Sequence, residues 1–304
     1  MNFLRLFFLC FLVLMSFHCA DEQTPTKFVS HGKVKRKRLK PVYKIQNANL
    51  NESSGMVKSR RFEGVFWSHN DSGDKARIFA LNAEGETISD SLNPSDVGIR
   101  IRSLKNNDWE DLGWLENKMI ISDMGNNQNN RDDLGFIIVS EPNPYTDSVI
   151  PVATHYKVKY PDQGVIPLPW DRNFDCEAIF GFQDNVYILS KNRSDENTKL
   201  YRFESLQENE VNIPTLIDRF QTEGKVTSAS MSEDESQLVV LTYQNVWLFK
   251  GFQGDDFFDH EVYFYRLDAR QCEAIDFLSD STLIITNEQK HIFYLDIEEL
   301  IKLR

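Results

Sequence analysis

Three glutamates recur in matching surroundings along this 304-residue chain: Glu110 in Asp-Trp-Glu-Asp-Leu, Glu177 in Asp-Cys-Glu-Ala-Ile and Glu273 in Gln-Cys-Glu-Ala-Ile. Each precedes a turn and a second apolar run that ends in Ser or Thr and then a polar residue: Ser122-Asp123, Ser190-Lys191 and Thr286-Asn287. Two weaker copies, Ser54-Gly-Met to Ser68-His69 and Ser228-Ala-Ser to Thr242-Tyr243, fit the same frame. Three glutamates at one narrow opening repel one another, so they take up protons or gather a cation. Carboxylates and hydroxyls are hard oxygen ligands that suit Ca²⁺ or Mg²⁺ better than Zn²⁺. Glu110, Glu177 and Glu273 are therefore the candidate metal ligands. The polar residues closing the second run make a mixed set. His69 and Asp123 are candidate bases and Lys191 a candidate cationic catalyst, whereas Tyr243, Asn287 and, in the turn after His69, Asp71 are candidate ligand-binding groups. The alternative is structural, with the glutamates bonding neighbouring backbone and the polar residues opening ordinary loops.

The elements that would position these residues are short strands. Brief apolar runs alternate with Asn, Asp, Gly and Ser clusters, and no long helical pattern appears. A third apolar run follows in each unit, as in Ile78-Phe-Ala-Leu, Val246-Trp-Leu-Phe and Ile292-Phe-Tyr-Leu. A period of roughly 45–65 residues belongs to propeller blades rather than helical solenoids. The expected fold is an all-β, five-bladed β-propeller over residues 41–304, with a sixth blade in 141–170 as the alternative. The fifth unit stops after its third strand, and Pro41-Val-Tyr-Lys-Ile-Gln is expected to supply its outer strand and close the ring. In such a ring the first strand of each blade lines the channel and the second runs back beside it. Both polar sets then share one face.

Residues 1–20 read as a signal peptide, with Arg5 ahead of the apolar run Leu6–Phe17, which is short for a membrane span. Met15-Ser-Phe-His-Cys19 is a loose lipobox, so lipidation of Cys19 is one fate, and simple cleavage near Ala20 or retention as an anchor the alternative. Residues 21–40 read as a polar and basic tether, whose six basic residues between Lys33 and Lys40 could meet anionic lipid. The expected location is outside the cytoplasm, as a periplasmic or outer cell-envelope lipoprotein or a secreted protein. Residues 41–304 hold 26 Lys and Arg against 44 Asp and Glu, a net charge of −18 that opposes nucleic acid as a partner. A monomer with a small or extended ligand is expected. The oxygen-rich stretch Asp123–Asp133 lacks the spacing of an EF-hand. Cys176 and Cys272 are expected as buried thiols.

The set His69-Asn-Asp-Ser-Gly-Asp74, Asp108-Trp-Glu-Asp111 and Asp175-Cys-Glu-Ala178 resembles a group of uncharacterised secreted bacterial propellers over roughly residues 52–290. The channel glutamates are also similar to those of calcium-activated apyrases, five-bladed propellers that hydrolyse nucleoside diphosphates around a central Ca²⁺. That likeness implies that Glu110, Glu177 and Glu273 surround a metal. Ser54 and Ser228 depart from a full acidic ring, and no nucleotide-binding motif accompanies them. Function is left between a cation-dependent binding module, a Ca²⁺-dependent hydrolase of phosphoester, lactone or glycoside bonds, and an interaction scaffold.

Overall fold

The computed structural model describes residues 24–32, 34–88, 98–166 and 168–304. The leader with Cys19, and Lys33 of the basic run, lie outside them. The chain forms five antiparallel sheets in a ring, a five-bladed β-propeller. The inner strands are Ser53–Lys58, Leu112–Leu115, Cys176–Phe182, Val226–Met231 and Cys272–Ser279, for blades 1 to 5 in order. Each is followed outward by strands that end in the expected polar residues, such as Lys118–Asp123 in blade 2 and Thr282–Asn287 in blade 5.

The doubled apolar residues of the second strands have a simple cause. Successive side chains of a strand point to opposite faces, and every blade is covered on both faces. Ile120 therefore enters the core between blades 2 and 3, and Ile121 the one between blades 1 and 2. Val240 and Val239 divide in the same way between the cores on either side of blade 4, as do Ile284 and Ile285 around blade 5. Five interblade cores result. Blades diverge with distance from the axis, so bulky rings fill the outer wedge. Between blades 3 and 4 this is done by Phe220, Trp247, Phe249, Phe257, Phe258 and Phe264. The abundance of Phe in the blades follows from this geometry.

Blade 5 is completed by Tyr43–Lys44, which pairs antiparallel with His291–Asp296, as the sequence led us to expect. The stretch 141–170 builds no sixth blade. Ala153–Val158 is the outer strand of blade 2, and Val149–Ile150 adds in parallel to Ile99–Ile101 of blade 1. Val211–Asn212 latches onto blade 2 and Thr26–Lys27 onto blade 3 in the same parallel manner. The C-terminal Ile301–Lys302 joins blade 4 after a single 3-10 turn. The basic stretch is fastened too. Val34 and Leu39 pack against interblade cores, and Lys37 exchanges backbone hydrogen bonds with Arg266 and Asp268 of blade 4.

Candidate functional site: an acid-lined pore mouth

The face where the inner strands begin holds a cavity of about 410 Å³ on the channel axis. Ser54, Glu110, Glu177 and Glu273 line it, with Lys191, Tyr243 and Asp71 beside them. Backbone irregularity puts them there. The register with the second strand shifts between Ser53 and Gly55, between Cys176 and Ala178, and between Cys272 and Ala274. Ser54, Glu177 and Glu273 are thus the extra residues of β-bulges, which re-aim a side chain away from the regular pleat. In blade 2 the Glu110 amide donates to the Ser122 carbonyl while the Ser122 amide donates to Asp111, an equivalent irregularity. Blade 4 differs. Its bulged residue is Thr227, so Ser228 lies one step deeper than the repeat frame implied, fully buried and off the cavity wall.

Ser228 belongs to a hub that the sequence did not reveal. Its hydroxyl donates to Asp111 Oδ1 at 3.0 Å. The amides of Ile179 and Ala229 donate to Asp111 Oδ2 at 3.1 and 3.2 Å. The Ile275 amide reaches Ser228 Oγ at 3.3 Å. One carboxylate in the channel thereby ties the inner strands of blades 2, 3, 4 and 5 and floors the cavity. Burial pushes its carboxyl well up, against the hydrogen-bond donors that pull it down.

Charges at the mouth fall into two groups. Lys191 Nζ lies 2.8 Å from Glu177 Oε2, and its ammonium sits 4.9 Å from the centre of the Tyr243 ring. The Arg193 guanidinium pairs with buried Asp175 and approaches Glu177 Oε1 at 3.5 Å. Burial would lower the lysine, but Glu177, Tyr243 and Glu110 raise it. The second group is Asp71, Asp108 and Glu110, which can bring carboxylate oxygens within 4.8 Å of one another, as Glu110, Asp175 and Glu177 also can. Among the described residues no basic side chain forms an ion pair with Asp71, Asp108, Glu110 or Glu273. Burial first, then neighbouring carboxylates, raises Glu110 well above the usual range. Glu177 is pushed up to about 7 and Glu273 to about 8, mainly by burial. Asp108 rises to about 6 through burial and the Asp71 charge.

Three expected site residues stand elsewhere. His69 is fully buried, with Nδ1 2.9 Å from the Asn70 carbonyl and its ring edge-on to Trp109. Burial lowers its basicity. It fits because residue 55 is glycine: a Cβ there would come 2.8 Å from His69 Nε2 and 2.7 Å from the Leu112 nitrogen. Asp123 accepts the Asp108 amide and the Asn107 side chain, each at 3.1 Å, and pairs with Arg131. It anchors the loop that carries Asp108 and Glu110. Asn287 donates to the Ala269 carbonyl at 2.9 Å and accepts the Gln289 and His291 amides, closing a turn of blade 5. Arg131 fills the middle of the Asp123–Asp133 stretch, bonding the Gly125 carbonyl, Asp123 and Asp133, so a guanidinium organises that loop. In the turn after His69, Asp71 reaches the cavity whereas Asp74 is held by Arg77 at 2.7 Å. Cys176 and Cys272 are free, buried thiols, raised by burial.

Sequence reasoning passed over Asp108 and Asp175, although the Asp-x-Glu spacing repeated in blades 2 and 3 signals both. Blade 5 has Gln271 at that position.

Fold and mouth together define the class: a five-bladed β-propeller whose axial cavity is lined by acids. No family model matches the chain, and no curated protein matches it. Among solved structures the chain is similar to one in a nidogen/laminin complex, at 11% identity over 84% of this chain and 80% of that one, TM-score 0.46. It is also similar to a PQQ-bound aldose sugar dehydrogenase from Streptomyces coelicolor, at 10% identity over 82% of each chain, TM-score 0.45. The WD40 propeller domain of Doa1 is 12% identical over 78% of this chain and 62% of that one, TM-score 0.38. Likeness at these values concerns architecture alone.

Proposed function

We propose that the protein is an exported, cell-envelope propeller that binds a divalent, oxygen-preferring cation of the calcium type at the pore mouth, and a ligand above it. One observation carries this reading. Asp71, Asp108 and Glu110 converge without a basic partner, while Glu177, a few ångströms further round, already has Lys191. Glu110 is buried and Asp71 and Asp108 are half-buried, and carboxylates gathered partly out of water are costly unless a proton or a cation meets them. Three hard oxygen donors favour calcium or magnesium over softer metals. The centre thus moves from the three-glutamate ring toward blades 1 and 2, with Glu110 shared and Glu273 facing it across the cavity. A bound cation would supply a positive centre for anionic or hydroxyl-bearing ligands. Lys191 and Tyr243 offer it a charge and a polar aromatic edge. The apolar leader Leu6–Phe17 supports export, and lipidation at Cys19 would hold the domain at a membrane.

A second reading, hydrolysis of phosphoester, lactone or glycoside bonds, is favoured by Glu273. Raised to about 8, it is protonated at neutral pH and placed on the cavity wall as a general acid requires.

Calorimetric titration of the metal-free protein with CaCl₂ at pH 8 tests the main reading. One site is expected, with binding lost in the Asp108→Asn/Glu110→Gln variant. Absence of both heat and a calcium-induced rise in melting temperature would refute it. Calcium-dependent turnover of any of the three bond classes, abolished by Glu273→Gln, would establish the second.

A further inference from the structure

On the rim of blade 1, outside the acidic mouth, lies a groove of about 700 Å³ whose charge is opposite to that of the body around it. Lys75, Arg100, Arg102 and Lys105 line it, and all four are exposed. Among the described residues none of the four forms an ion pair. Residues 41–304 carry a net charge of −18, so gathering four unpaired cations in one groove runs against the average. The strand pairing sharpens this. Arg100 stands directly opposite Arg77 in the ladder of Arg77–Leu81 with Ile99–Ile101. Like charges directly opposite each other weaken a sheet. Arg77 is answered by Asp74 at 2.7 Å, and Arg100 is left to solvent. Arg100 lies in the strand Ile99–Ile101 and Arg102 in the turn that follows it, and both line the groove.

We propose that this groove binds an extended anionic ligand, a chain bearing repeated carboxylate or phosphate groups, through Lys75, Arg100, Arg102 and Lys105. Extension follows from the layout. The cations come from two separate segments, 75 and 100–105, spread along an open groove, where a single small anion would meet only part of the set. Arginine suits such groups because its planar fork presents paired donors to a carboxylate or phosphate. Nucleic acid is disfavoured. No aromatic side chain lies among the described residues lining the groove, so bases have no stacking platform. The groove ends beside the mouth. Asn106, on its wall, donates to the carbonyls of Asn70 and Asp71 at 3.0 and 2.7 Å, and Asp71 lines the acidic cavity. A chain lying in the groove is thereby led toward the axis. Groove binding needs no metal.

The test is fluorescence polarisation of the purified protein with labelled hexagalacturonate and, separately, a short polyphosphate, in EDTA at low salt. At least one should bind, with affinity falling steeply as salt rises. Arg100→Gln/Arg102→Gln and the charge-reversing Arg100→Glu/Arg102→Glu should each weaken binding by about tenfold or more, with melting temperatures unchanged. Lys118→Glu/Lys157→Glu, the same charge change as the reversal but on blade 2, should leave affinity unaltered. Preference for the galacturonate identifies an acidic glycan, preference for polyphosphate a phosphate chain. Failure of both to bind, equal loss in the control variant, or tighter binding of a single-stranded oligonucleotide would each overturn the proposal.

Discussion

At one end of the central channel the inner strands part around about 410 Å³; at the other they close on about 10 Å³. The same five strands make both ends. At the open mouth, bulges turn long acidic side chains inward. At the closed mouth the backbones themselves touch. Gly181 lies so close to blade 2 that a Cβ on it would sit 2.1 Å from the Trp114 carbonyl oxygen, and one on Gly113 would sit 2.6 Å from that of Ile179. Trp114 covers this end, its indole donating to the Lys58 carbonyl at 2.9 Å with the Arg60 guanidinium over its ring. Asp276 adds a tie, accepting the Ser230 hydroxyl at 2.5 Å and the Lys58 amide. One end is thus built from satisfied, close-packed groups, and the other from carboxylates with too few partners. Close packing and unsatisfied charge are divided between the two ends of one channel, a trade that costs stability at the open end.

Substitutions should separate the ends. Gly181→Ala, at the closed mouth, should cost the most, about 3 kcal/mol, because its neighbour, the Trp114 carbonyl, is backbone that cannot swing aside. Urea unfolding would register it, and calcium affinity of the folded fraction should be unchanged. Asp111→Ala, between the ends, should cost about 2–3 kcal/mol by leaving buried donors from Ile179, Ser228 and Ala229 unpaired. Glu273→Gln, at the open mouth, should act in the opposite sense. It should stabilise the metal-free protein at pH 9 by about 1–2 kcal/mol, since it removes a buried charge. A loss there would erase the distinction between the ends.

The smallest effect is a slope with pH. Glu177 and Glu273 ordinarily titrate near 4.5 and are raised in the fold to about 7 and about 8. The folded state therefore holds protons that the unfolded chain releases. Their contribution is complete below 4.5 and is lost as pH climbs through 7 and 8. Melting temperature without metal should decline from pH 5 to pH 9, and calcium should flatten the decline. A rise over that window would contradict the account.

How far the sequence revealed this molecule depended on what kind of order each feature has. The blades were legible because Ile120-Ile121, Val239-Val240 and Ile284-Ile285 repeat a pattern that burial on both faces demands. The mouth was legible because Glu110, Glu177 and Glu273 recur in like surroundings. Latches of two residues, such as Val149–Ile150, carry no periodicity and were invisible. Ser228 was misplaced by one residue because a bulge is decided by backbone hydrogen bonds rather than by residue type. His69 reads as a base at a strand end, and only the glycine packed across it explains its burial.

The ring closure has a consequence in time. Tyr43 leaves the ribosome well before its partner Ile292. At ordinary synthesis rates the two are separated by on the order of tens of seconds. Through that interval the chain has no complete ring to fold into. The same stitch makes blade 5 depend on two distant segments at once: loss of either Tyr43–Lys44 or His291–Asp296 would leave it open.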